Sequence, residues 1–205
     1  MAKKRAFDDI QDAMRAASAF APRRLRVARL FGLAASVGIS AIACGGASTA
    51  FDGHDYRKGN VAFRVGDIPA SWRRLDVTDA SLAFRDDAHA ASILLNARCG
   101  GKDDDVPLVA LTGQLIMGTT DREFSKEETI PFDGREARHS VVKAKLDGVL
   151  LAYDIYVEKK DGCTYDFVYI SPPAAEGSPE FERFVGDFRT LGGSGNVKVV
   201  AGDGS

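Results

Sequence analysis

The chain has 205 residues, 45% of them apolar and 27% charged, a balance that suits one globular domain with additional terminal segments. It excludes a collagen-like repeat, a disulfide-dense miniprotein and a fully disordered chain. A formal net charge of −2 lacks the basic footprint of a nucleic-acid binder, so no nucleic-acid partner is expected.

The first 43 residues read as an export leader. Arg23, Arg24, Arg26 and Arg29 precede an uncharged run from Leu30 to Phe51. The most apolar part, Leu30–Ala43, closes in small side chains directly before Cys44. A basic stretch, a short apolar stretch and a small-residue site form the layout of a secretory signal peptide. Asp8, Asp9 and Asp12 are unusual ahead of such a signal. Met14 opens a more ordinary version of the same leader and is a candidate for the true start. Arg23-Arg24 resembles a twin-arginine pair, but Arg26 stands where that signal takes a large apolar residue.

Ala41-Ile42-Ala43-Cys44 followed by Gly45-Gly46 resembles a bacterial lipobox. The resemblance implies that Cys44 receives lipid and becomes the new N-terminus, anchoring the product to a membrane. Two alternatives stand beside it. An uncleaved anchor is long enough, because about 20 apolar residues cross a bilayer, although the last third of the run suits a linker better than lipid. A buried core helix would need no polar face, yet four arginines lead into it. Both membrane readings place the residues after 51 outside the cytoplasm, with the arginines inside. The expected location is therefore the cell envelope, in the periplasm or at the cell surface. Removing residues 1–43 takes away 8 of 27 basic and 3 of 29 acidic residues and leaves a net charge of −7. Such a surface disfavours a general basic patch for anionic lipid, so attachment is expected through the lipid on Cys44.

Residues 44–60 are small, polar and aperiodic and read as a flexible tether. Short strands are expected at Val61–Val65 and Leu82–Arg85. A third, at Ser92–Cys99, carries Ile93, Leu95, Ala97 and Cys99 on one face. Asp-Gly pairs then recur at 133–134, 147–148 and 161–162, 14 residues apart. Asp-Gly between alternating apolar runs signals a two-residue hairpin, because its turn needs positive φ at both central residues. Three of them predict a four-strand meander over 122–132, 135–146, 149–160 and 163–171. Two helices bracket it. Pro107–Met117 aligns Leu108, Leu111, Leu115 and Ile116, with Asp105 available as a cap. Ser178-Pro179 opens the second, which aligns Phe181, Phe184, Val185 and Phe188 and is expected to run to Gly192-Gly193. Residues 192–205 read as a glycine-rich tail.

The opening Val61-Ala62-Phe63, Pro69 and Trp72, the sheet-helix-meander order and the closing aromatic helix together resemble the PsbP-like family. That family includes a photosystem accessory subunit, a Ran-binding import factor and a bacterial lipoprotein. The resemblance implies an α+β domain over 61–191, an antiparallel meander sheet packed by two main helices, with accessory or binding roles. It carries over no functional residue.

Cys99 and Cys163 lie on apolar strand faces, and in an exported domain a disulfide between them would persist. It would close a loop of 64 residues, worth ~4 kcal/mol by chain entropy; two buried free thiols are the alternative. No C-x-x-C spacing supports zinc, and no cofactor or nucleotide motif is present. His54, His89 and His139 are scattered and read as surface residues rather than catalytic ones. Gly100-Gly101-Lys102-Asp103-Asp104-Asp105 lacks the ligand alternation of a calcium loop, so no metal is expected. Tyr153, Tyr165, Phe167 and Tyr169 read as core at strand spacing, and Trp72 as a surface aromatic. The expectation is a lipid-anchored, non-catalytic binding or accessory module with an envelope protein partner. An exported hydrolase and a structural assembly subunit are the rivals.

Overall fold

The computed structural model describes residues 49–78 and 80–192. The leader, Cys44 and residues 193–205 lie outside the described residues. Eleven strands and two helices are present among those described. A small antiparallel sheet is made of β1 (Ala50–Phe51), β2 (Asp55–Lys58), β3 (Val61–Arg64) and β11 (Arg189–Thr190), in that order. A seven-stranded antiparallel sheet contains β4 (Arg73–Leu75), β5 (Leu82–Asp86), β6 (Ala91–Cys99), β7 (Thr120–Phe132), β8 (Arg135–Leu146), β9 (Val149–Lys160) and β10 (Cys163–Ser171). Its order, β4-β5-β6-β10-β9-β8-β7, joins two meanders along the β6–β10 seam. Helix α1 (Leu108–Leu115) links them, and α2 (Pro179–Gly186) precedes β11.

The meander follows from local chemistry. Asp133, Asp147 and Asp161 have φ of 42°, 50° and 52°, and the glycines after them have φ of 75°, 82° and 70°. This left-handed pair matches the right-handed twist of the strands it joins. Register then passes unbroken from Leu146↔Val149 to Ala137↔Glu158, and from Lys160↔Cys163 to Ala152↔Ser171. Strand β7 forms the outer edge. Two irregularities in its pairing with β8, and its charged side chains, discourage edge-to-edge pairing.

One face of the long sheet is covered by the small sheet and α2. Phe63, Phe167 and Phe188 meet there with centroids 4.7–6.2 Å from their aromatic neighbours. The Ser178 hydroxyl caps α2 by accepting from Phe181 N at 3.2 Å, and Pro179 occupies the first turn. Phe181, Phe184 and Val185 are buried from the helix. Gly66 lets β3's continuation run against α2, because a Cβ there would overlap the Arg183 carbonyl. On the opposite face α1 packs against β8 and β9 and buries Leu111 and Ile116.

Several expectations are corrected. The tether expected over 44–60 gives way to β1 and β2 from residue 50, because Tyr56 stacks on Phe63 at 4.7 Å and is 2% exposed. Helix α1 has Pro107 rather than Asp105 at its N-cap position and no side-chain cap. Helix α2 stops at Gly186, and Phe188 joins the core from the turn into β11. Trp72, expected at the surface, belongs to the same core at 8% exposure.

Candidate functional site

A group of ionisable side chains lies where β7, β8 and β9 run beside α2. The register sets Glu128 opposite His139 and His139 opposite Tyr156, with Asp154 two residues before Tyr156 on the same face. His139 lies flat on Tyr156, with ring centroids 3.9 Å apart and planes at 11°. Its Nε2 is 2.8 Å from Asp154 Oδ1 and its Nδ1 is 3.2 Å from Glu128 Oε1. Tyr156 leads on to Phe181 and Phe132 at 5.9 and 6.1 Å. Burial, reinforced by the charges of Asp154, Glu182 and Glu128, holds the Tyr156 phenol well above its ordinary range. His139 was expected at the surface, yet its side chain is only 7% exposed, because a strand histidine flanked by Tyr156 and two carboxylates has partners for its whole ring.

This geometry limits the chemistry. A histidine that activates a serine needs one nitrogen free to take the hydroxyl proton. Both nitrogens of His139 face carboxylates, and Ser140, next along β8, points to the other face of the sheet. With a carboxylate at each ring nitrogen and Tyr156 against its face, His139 fits a structural clamp across three strands. The other two histidines also sit beside acids. His89 Nδ1 is 2.5 Å from Asp86, and the hydrogen bond from His89, working against burial, holds the Asp86 carboxyl below its ordinary range. His54 is 3.3 Å from Asp67, with both side chains exposed.

The acidic loop before α1 is held from the sheet. Arg98 donates to Asp103 through Nε and Nη2, each at 3.2 Å, and also reaches Asp166. Lys159 Nζ donates to the carbonyls of Asp104 and Val106 at 2.7 and 3.0 Å. Among the described residues no group of three or more His, Cys, Asp or Glu could hold a metal ion. No described helix is long and apolar enough to cross a membrane.

Cys99 and Cys163 are register partners at the end of the β6–β10 seam and form a disulfide. At the same end, Asp133 does more than turn a hairpin. Its Oδ2 accepts from Lys160 Nζ at 2.8 Å, from Thr190 N at 2.8 Å and from Thr190 Oγ1 at 2.9 Å, tying β11 to the long sheet. Sequence reasoning identified this residue only as a turn former, and nothing local announces its long-range role. It also missed Glu158, which is fully buried with no hydrogen-bond partner for either oxygen. Burial, reinforced by Asp133, pushes the Glu158 carboxyl up to about 8. The one available signal was its place on the β9 face that alternates least cleanly.

No protein-family model matches the sequence, and no curated protein matches it. Solved structures do match in fold. The cyanobacterial PsbP of Synechocystis sp. PCC 6803 superposes with a TM-score of 0.50 at 16% identity, covering 78% of this chain and 98% of that one. A Bacteroides thetaiotaomicron protein gives 0.48 at 11% identity, over 69% of this chain and 49% of its own. LpqN of Mycobacterium tuberculosis, described as involved in cell envelope biogenesis, gives 0.46 at 12% identity, over 70% and 90%. With two helices, the closing one aromatic, and two antiparallel sheets, this domain has the PsbP-like α+β fold.

Proposed function

We propose that the chain is an exported envelope lipoprotein, anchored through Cys44, whose domain serves as a non-catalytic binding or accessory module. The observation that carries this reading is the Cys99–Cys163 disulfide in a domain that follows an export-type leader. Disulfides persist outside the cytoplasm and are rare within it. The bridge closes 64 residues and braces the seam between the two meanders. The engagement of both His139 nitrogens favours binding over hydrolysis.

Two measurements test the reading. Replacing Cys44 by Ser should abolish incorporation of labelled fatty acid and block leader removal; unchanged lipid labelling removes the anchor. Alkylation without reductant should leave the 99 and 163 peptides joined. Free alkylation of both thiols in protein taken from cells places the domain in a reducing compartment and sinks export.

A further inference from the structure

The outer face of the four-stranded sheet differs in charge from the rest of the domain. Tyr56 and Phe63 point inward, so the residues alternating with them point outward. Two cross-strand rows result: Ala50, Arg57 and Ala62, and then Asp55, Arg64 and Arg189. Arg57 and Arg64 keep 59% and 56% of their side chains exposed. Asp55 engages Arg64 at 2.7 Å and lies 4.0 Å from Arg57. Asp52, in the turn, spends its Oδ1 on the backbone N–H groups of His54 and Asp55. The two outward rows hold Arg57, Arg64 and Arg189 against Asp55, a local +2. A chain starting at Cys44 carries −7. The alanines between the arginines leave the face flat.

We propose that this face docks on the anionic headgroups of the membrane that holds the chain, an inference that rests on the lipid-anchor reading. Chain length supports it. Strand β1 begins at Ala50, so only five residues lie between it and Cys44 rather than a tether of some fifteen. The six Cα–Cα steps from Cys44 to Ala50 span at most about 20 Å and on average ~13 Å, close to the ~8–10 Å screening length at physiological salt. The anchor therefore keeps the small sheet within the field of the headgroups. There each arginine gains about fivefold in surface partition. The acidic remainder of the domain is repelled by the same surface, which selects this face over the others.

Footprinting of arginines with a dicarbonyl reagent, read by mass, tests this on full-length protein purified from membranes. The protein is reconstituted into vesicles of phosphatidylcholine alone or mixed with phosphatidylglycerol. At low salt, Arg57, Arg64 and Arg189 should react about fivefold more slowly on the mixed vesicles, and high salt should restore their reactivity. Arg122, at the start of the far edge strand, should react alike on both. Equal reactivity of the three arginines on both vesicles overturns the docking face, as does protection of Arg122 in their place. The intact mass of the same sample reports the lipid on Cys44. Lipidated protein with unprotected arginines sinks the docking face alone, whereas unlipidated protein with protected arginines sinks the anchor alone.

Discussion

The two faces of the seven-stranded sheet are buried by different means. On the face under α2 and the small sheet, the cover is aromatic: Phe63, Phe132, Tyr165, Phe167 and Phe188 form one continuous set of tilted and edge-on contacts. Its polar members are mostly paired, as in the Glu128–His139–Asp154 line and the Asp133 knot. The face under α1 is aliphatic, with Leu111, Ile116, Val142 and Ile155 buried. It also buries the Ser140 and Tyr153 hydroxyls with no hydrogen-bond partner. Large rings bring more contact area and preferred geometries, so the first face carries more energy per residue. Helix α1, with eight residues like α2, has no side-chain cap, and polar atoms on the face it packs against go unserved.

The strongest way to break this contrast is a matched pair of truncations. Phe188→Ala should cost about 4 kcal/mol and Leu111→Ala about 3 kcal/mol, measured by urea denaturation. A larger loss at Leu111 would show that the face under α1 carries the greater share.

A second perturbation addresses the exception on the aromatic face. Glu158 is raised from an ordinary 4.5 to about 8, so between those values the folded state holds a proton that the unfolded state releases. Stability should therefore fall as pH rises from about 5 to about 8, by an amount on the order of a few kcal/mol. Glu158→Gln should flatten that slope in denaturation curves recorded across the window. A slope that survives the substitution assigns it to another group.

The smallest effect is expected on the opposite face. Burial lifts the Tyr153 phenol to about 12, and its hydroxyl lacks a partner. Tyr153→Phe should then leave stability unchanged or raise it by up to about 1 kcal/mol, since no hydrogen bond is lost and a desolvation cost is removed. A loss of more than 1 kcal/mol in thermal unfolding would mean the hydroxyl is bonded in solution, and the contrast between the faces would narrow.

The features legible in the residues alone are those that local chemistry controls. Asp-Gly at 133, 147 and 161 demands positive φ at two successive residues, and so set the three hairpins and their register. The stripe Phe181, Phe184, Val185 behind Ser178-Pro179 set α2 and the face it buries. The pairing of β6 with β10 required the tertiary structure, and with it came the meeting of Cys99 with Cys163 across 64 residues. So did the burial of Tyr56 and Trp72, in stretches whose own composition reads as loop. The His139 line and the isolation of Glu158 arose the same way, because a side chain's solvent and partners are supplied by strands and helices distant in sequence. Turn geometry is written within two residues; burial is decided by whatever surface arrives from elsewhere in the chain.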